Sequence, residues 1–387
     1  MPPTPRYRAL TWDHPRGYDA LAAAAKARRD IDGIDIQWEK QPLEGFESHP
    51  IEDLCERFDL VVLDHPHVGE AVARRCLQSI DSHFEDSDLA QWQANSIGPS
   101  LRSYRIAGKT WALPLDAAAQ VTAYRRDLLG TPPATWDALV ALPPSVRVAL
   151  SLAGPHAILT FMSLAATLGE PIGSAADGGF VAESTGKRVL EVMRPLYRRT
   201  DPRTMSLNPI GLLDLMRSSD ELALIPLVFG YVNYSTHASA GTHVVSFCDV
   251  PTFSGSPADA HSVIGGTGIA ISARCQVTPE LLSHLRWLLS EDAQTTFIPR
   301  HAGQPSRRSA WRDEHVNEMT GGFFAHTART LEQSWVRPRH DGYIAFQSRA
   351  SAMLRDTLES ARSDASLLND LDALYRNSFT SHTQDAE

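Results

Sequence analysis

Runs of apolar residues, some alternating with polar ones and some continuous, divide the chain into a repeating order of strand and helix. Tyr7 to Trp12 reads as the first strand and opens into the polar loop Asp13-His14-Pro15-Arg16-Gly17. The alanine-rich stretch Ala20 to Arg29 predicts a helix that Asp19 can cap. Ile34, Ile36 and Trp38 alternate with Asp35, Gln37 and Glu39, as a strand with one buried face does. The continuous run Asp59-Leu-Val-Val-Leu-Asp64 has the pattern of a strand buried on both faces. It ends in Asp64-His65-Pro66-His67, and Glu70 to Leu77 returns as helix. This order collects polar residues at the carboxyl ends of the first and third strands, the edge where open parallel sheets bind ligands.

After a helical region from Ser87 to Tyr104, the turn Ala107-Gly108-Lys109 leads into a short strand, Thr110 to Leu113, which Pro114 is expected to stop. A further strand is predicted over Gln120 to Tyr124, and Thr135 is placed to cap a helix carrying Trp136. The alternation then repeats: Val146 to Leu152 as strand; His156 to Leu168, Val181 to Tyr197 and Ile210 to Arg217 as helices; Leu222 to Val228 as a buried strand. Gly230 permits a tight turn into a helix whose N–H groups would face a cleft. His243 to Phe247 and Gly265 to Ser272 are further strands, and Pro279 to Ser290 and Asp292 to Ile298 further helices. From Trp311 onward the pattern is helical, with Leu354 and Leu358, then Leu367, Leu368, Leu371 and Leu374, on amphipathic faces; Ser378 to Glu387 is polar and predicted to fray.

Several of these stretches carry a resemblance. Gly108-Lys-Thr-Trp-Ala-Leu-Pro114, Tyr124-Arg-Arg-Asp-Leu-Leu129 with Trp136 beyond it, Glu221 to Gly230, Val250-Pro-Thr-Phe-Ser-Gly255, Gly265 to Ser272, and Leu285 to Gln294 with Gly303-Gln-Pro-Ser306 follow one another in a known order. In that order they resemble the extracellular solute-binding proteins of ABC importers, the maltose-binding-protein-like family 1. The resemblance spans most of the chain. It implies an α/β type II periplasmic-binding-protein fold of two lobes joined by three hinge crossings, at Asp116 to Ala119, Val250 to Phe253 and His301 to Pro305. Residues 1–115 with 252–303 would form the N-terminal lobe, and 116–251 with 304–387 the C-terminal lobe. It also implies a monomer that closes on a small-molecule ligand, a sugar or sugar acid, and is received by ABC permease subunits.

Composition narrows this further. With 36 Lys+Arg against 46 Asp+Glu, the formal charge is −10 and no basic block is long enough to follow a phosphate backbone, which argues against a nucleic-acid partner. Cys55, Cys76, Cys248 and Cys275 have no metal-binding spacing and read as packed thiols. Met1 to Arg8 lacks the positive and apolar regions of a secretion leader. The resemblance implies a periplasmic protein if a leader has been removed; a native start at Met1 implies a cytoplasmic enzyme or sensor on the same fold, the alternative reading.

A cleft that binds a polar ligand needs aromatic plates and fixed polar groups. By position the candidates are Trp12, Asp13 and His14 from the first loop, Asp64, His65 and His67 from the second, and Asp116 beyond Pro114. Phe229, Tyr231 and Asn233 would face them from the other lobe, and Trp335, Arg337 and Tyr343 from its far side. The resemblance implies sugar contacts for Asp64 and its neighbours, Asp116, and Phe229 or Tyr231, although His65-Pro66-His67 stands where the family often has Trp. Asp13 and Asp64 are also able to cap the helices that follow them. Arg337, if it points inward, favours a carboxylate-bearing ligand. The histidines and aspartates offer zinc or nickel ligands, yet Pro66 constrains them and no HExxH spacing exists, so no metal or other cofactor is assigned. Neither a G-x-S-x-G nor a Walker loop is present, and no catalytic residue is assigned. Trp136 and Trp287 are assigned to the core.

Overall fold

The computed structural model describes residues 4–173, 178–236, 240–360 and 362–379. Among these residues lie nine strands: β1 (Arg6–Trp12), β2 (Asp35–Gln41), β3 (Leu60–Leu63), β4 (Arg105–Ile106), β5 (Lys109–Thr110), β6 (Leu113–Tyr124), β7 (Leu224–Phe229), β8 (Ser246–Cys248) and β9 (Ile264–Ile271). β4 and β5 make a small separate hairpin. The others form one mixed sheet in the order β2-β1-β3-β9-β6-β7, with β8 also on β6. β1 is parallel to β2 and β3, and β9 returns antiparallel to β3.

β6 organises the molecule. Its first part, Leu113 to Ala119, pairs with β9, and its second, Gln120 to Tyr124, pairs with β7 and β8. One strand thus belongs to the sheets of both lobes. Two strands were expected on either side of Pro114, but the chain runs through it. The reason is a register shift between Pro114 and Asp116, where the ladder does not require the N–H that proline lacks. The Pro114 carbonyl accepts a hydrogen bond from Ser306 Oγ at 2.6 Å.

Of the two other expected crossings, one runs beside β6. The Val250–Phe253 segment does not: Thr252 N donates to Ala134 O at 3.0 Å and Phe253 packs on Trp136, within the C-terminal lobe, and the chain meets β6 only further on, where Val263 O accepts from Gln120 N at 3.2 Å. In the His301–Pro305 segment, Gln304 Nε2 donates to Ala117 O at 2.7 Å and Gln304 O accepts from Ala117 N at 3.3 Å.

Local differences have local causes. The first helix spans Pro15–Arg28, with Pro15 in its first turn and His14, not Asp19, as its cap: His14 Nδ1 accepts from Arg16 N at 3.1 Å. Val146 to Leu152 forms no strand beyond a single parallel bridge, Val148 to Leu224. The segment after Gly230 is one 3₁₀ turn, Val232–Tyr234, too short to present a helix N-terminus. Ser87 to Tyr104 is helical over Asp86–Asn95, then breaks, and closes with a 3₁₀ turn at Arg102–Tyr104. The tail Ser378 to Glu387 lies outside the described residues from 380 on.

The His156–Thr167 helix is apolar nearly all round and buried at every residue, as a helix wrapped by others must be. It packs beside the Glu183–Arg199 and Tyr343–Glu359 helices in the C-terminal-lobe core, with Trp136 fully enclosed. A second core runs from the N-terminal lobe through Trp12 and Tyr231 to Phe247 and Phe323, so apolar packing is continuous across the lobes. Trp287 is half-buried, with the Arg28 guanidinium 4.4 Å from its ring centroid. Cys55, Cys76 and Cys275 are buried free thiols and Cys248 a half-buried one.

Candidate functional site

β1 carries Trp12 to the sheet edge, where the Pro15–Arg28 helix starts almost at once. The indole lies flat against Gly17; a Cβ there would fall 2.2 Å from Trp12 Nε1, so this approach requires glycine. The ring meets Tyr231 of the other lobe edge-on at 5.8 Å, Phe46 at 6.0 Å and His14 in a stack at 5.2 Å.

Beneath these rings, Arg16 crosses from the first lobe. Its Nε and Nη2 donate to the two Asp116 carboxylate oxygens at 2.6 and 2.5 Å, and its Nη1 to Gly230 O at 2.9 Å. Burial pushes the Asp116 carboxyl up, against the pull of the guanidinium. For Arg16, burial also opposes the charge, but Asp116 outweighs it and the pKa rises. The pair stays ionised, because a guanidinium in contact with a carboxylate keeps its proton.

Asp64, at the end of β3, both caps and lines the site. It accepts from His65 N at 2.8 Å at the start of the 3₁₀ turn His65–His67, and its second oxygen is bound by Arg337 Nη2. Burial opposes its charge, yet Arg337 and His65 hold its carboxyl well below the usual range. His65 Nδ1 lies 2.9 Å from Asp64 Oδ1. Burial, with Arg337 adding to it, pushes His65 down to about 4. His67 is lowered chiefly by burial. Burial, then Arg16, brings His14 to about 3.

The short helix Leu43–Ser48 contributes Phe46 and Glu47. Glu47 spans the cleft: its Oε1 lies 3.1 Å from Nε2 of His156, the first residue of the buried C-terminal-lobe helix. That approach falls outside hydrogen-bond geometry, and neither ring nitrogen of His156 makes a hydrogen bond. The Phe229 ring stands edge-on to His156 at 5.9 Å. It rests on Gly265, where a Cβ would come within 2.6 Å of the ring. Gly266, with φ +95°, lets β9 pass so close to β6 that a Cβ would sit 2.5 Å from Asp116 O.

These side chains enclose a cavity of about 50 Å³ between the lobes, lined by Trp12, Arg16, Phe46, Glu47, Asp64 and His156 among others, with Phe229, Tyr231 and Thr267 completing it. Trp12, Asp64, Phe229 and Tyr231 were expected there, and Asp116 lies directly behind Arg16. His14, His65 and His67 form the layer around it.

Other expected residues are elsewhere. Asp13 is exposed and pairs with Lys40 at 2.7 Å. Asn233 Nδ2 braces a crossing by donating to Ala302 O at 3.0 Å. Trp335 pairs its backbone with Val263 and lines a separate depression of about 440 Å³ with Arg102 and Arg339. Tyr343 is enclosed in the C-terminal-lobe core, its hydroxyl 3.6 Å from Met162 Sδ. Arg337 does point inward, but the carboxylate it holds is Asp64, and its other terminal nitrogen donates to Gln347 Oε1 at 3.2 Å.

Arg16, Phe46, Glu47, His156 and Thr267 were not anticipated. The available signals were Pro15-Arg16, a helix start at a strand's carboxyl end, and His156, the first residue of a predicted helix.

A wider depression of about 850 Å³ lies on the outer face of the C-terminal lobe, but its charged groups are engaged. Arg199 donates to Leu142 O and Val146 O, each at 2.9 Å, and Arg203 pairs with Asp201 and Glu221. Among the described residues, one His/Asp group gathers closely enough for a metal: Asp127, Asp220 and His243, on the surface. Arg125 Nη2 already bonds both carboxylates, at 2.6 and 2.7 Å, and supplies the positive charge there.

No protein-family model and no curated protein matches the sequence. Solved structures do match the fold over nearly the whole chain. An ABC transporter solute-binding protein from Agrobacterium radiobacter K84, in complex with ribitol, superposes with a TM-score of 0.78 at 22% identity, covering 97% of this chain and 98% of that one. The GacH receptor of Streptomyces glaucescens, solved unliganded and with acarbose, gives 0.79 at 15% identity, over 98% and 100%. The maltotriose-binding protein of Thermus thermophilus, bound to maltotriose, gives 0.72 at 15% identity, over 96% and 99%. At these identities the likeness is one of fold: the chain has the two-lobed architecture of ABC-importer solute-binding proteins.

Proposed function

We propose that this protein is the solute-binding component of an ABC importer and captures a small carbohydrate or polyol by closing its two lobes on it. The observation that carries this reading is the cavity between the lobes, to which both contribute: Trp12, Phe46, Glu47 and Asp64 from one, His156, Phe229 and Tyr231 from the other. Aromatic faces stack on the C–H side of a sugar ring and carboxylates accept from its hydroxyls. A cavity of about 50 Å³ is far below the roughly 300–1,000 Å³ of drug-sized ligand sites, so a ligand enters when the lobes part.

We take the lobes as 1–115 with 252–303 and 116–251 with 304–387, and they bend where the chain passes β6, at Asp116 to Ala119, at Val263 and at His301 to Pro305. Ligand contacts to both lobes favour the closed form, which the membrane permease receives on the outer side of the membrane. Among the described residues, no helix is long and apolar enough to cross a membrane. The sugar-acid branch draws no support from Arg337, whose Nη2 holds Asp64 and whose Nη1 bonds Gln347.

The test is a thermal-shift screen of neutral monosaccharides, disaccharides and polyols, each followed by product analysis. A ligand present at 100 times its Kd adds about 2.7 kcal/mol, a shift of several degrees. The reading requires such a shift from a sugar or polyol that is recovered unchanged, with the shift lost in Phe229→Ala. Conversion of that ligand to product would establish the enzymatic alternative instead.

A further inference from the structure

We infer that the ligand carries a positive charge, as an amine-bearing sugar or polyol does, and that Glu47 is the residue that selects for it. This deepens the carbohydrate reading and rests on it for the skeleton, though not for the charge.

The argument is an accounting of charge around the cavity. Arg16 donates twice to Asp116 and once to Gly230 O. Arg337 donates to Asp64 and Gln347; its Nε is buried without a hydrogen-bond partner, but Arg337 is not among the residues that line the cavity. The charge of each arginine is thereby matched by one carboxylate, Asp116 and Asp64.

Glu47 differs from both. Its side chain retains 21% exposure, it lines the cavity, and among the described residues the only basic group within ion-pair distance is His156. A histidine is not a permanent cation, and this one meets Glu47 outside hydrogen-bond geometry, with its own ring nitrogens unbonded. The rings of Phe46 and Phe229 border the same space, as do those of Trp12 and Tyr231, which already face the Arg16 guanidinium at 5.7 and 4.7 Å. Aromatic faces attract ammonium groups, and a carboxylate beside them adds to that attraction in a site shielded from water. An anion entering there would meet Glu47, with the charges of both arginines already matched by Asp116 and Asp64.

The test uses the full chain and isothermal titration of skeleton-matched trios: glucose, glucosamine and glucuronate; ribitol, its 1-amino-1-deoxy analogue and ribonate; with choline and putrescine as cations lacking a sugar skeleton. At least one amine is expected to bind tenfold or more tightly than its neutral parent, with the carboxylate weakest. In Glu47→Gln the amine-to-neutral affinity ratio should fall towards one. A neutral parent that binds as tightly as its amine, or a carboxylate that binds best, overturns the inference from the unmutated protein alone. So does a preference for amine that survives in Glu47→Gln. Binding of choline or putrescine without any sugar skeleton, sensitive to Glu47→Gln, upholds the charge assignment while removing the carbohydrate reading.

Discussion

The two ends of the cleft treat charge in opposite ways. At its base, Arg16 and Asp116 are both under a tenth exposed and satisfy each other through two short hydrogen bonds, with Gly230 O taking the third nitrogen. At its mouth, Glu47 faces a histidine that neither bonds it well nor carries a fixed charge. A buried pair whose charges cancel offers a ligand no net charge, and removing one member leaves an uncompensated charge in the interior. An unsaturated carboxylate in a ring-lined space is where a ligand gains most. The base therefore holds the lobes in register and the mouth discriminates, although both contain an acid and a base at contact distance.

The largest expected effect breaks the base. Arg16→Met leaves Asp116 buried without its partner and should lower unfolding free energy by about 3–5 kcal/mol, read from urea denaturation. Replacing Asp116 with Leu in the same chain should recover most of that, since an apolar pair is often as stable as a buried ionic one. A loss under about 1 kcal/mol in the single variant would mean that the pair does not hold the base together.

Acid should act on the histidine layer around the cavity. An unfolded histidine binds a proton near pH 6.5, whereas folded His65 does not until about 4. Between these values the unfolded state holds more protons, so stability falls as pH falls, by at most about 1.4 kcal/mol per pH unit for that residue. Asp64 has a lowered folded pKa, so its contribution is full above the ordinary carboxylate value and is lost only at lower pH still. Thermal melts from pH 7 to 4 should therefore decline, and His65→Gln should flatten that decline. An unchanged slope in the variant would remove His65 from the account.

The sequence made the frame legible because the frame is written in periodicity. The apolar runs at β1, β3, β7 and β9 and the helix at His156 fall where they were predicted, and the strand-end rule points to the sheet edge where Trp12 and Asp64 line the cavity. The errors share a cause. Pro114 reads as a stop only if its N–H is needed, and the register shift that spares it is a property of β9, remote in sequence. Glu47 sits on a six-residue helix in a stretch without clear period, and its partner His156 is over a hundred positions away. Whether Arg337 meets a ligand or Asp64 likewise depends on folding that unites residues 273 positions apart. Local pattern carries which face is buried; it does not carry which charges cancel.

The smallest expected effect sharpens the comparison most finely, because Asp13 and Glu47 are both acids on the first lobe. Sequence reasoning placed Asp13 in the site, one residue after Trp12. In the fold its side chain is 57% exposed and turned to Lys40, outside the cavity. Exposed pairs of this kind contribute little, since water screens them and the side chains lose freedom in forming them. Asp13→Asn should leave the melting temperature and the amine-to-neutral affinity ratio at their starting values, in the same titrations where Glu47→Gln collapses that ratio. If instead the two variants changed the ratio alike, selection would arise from the general negative potential of the first lobe and not from a carboxylate placed against the rings.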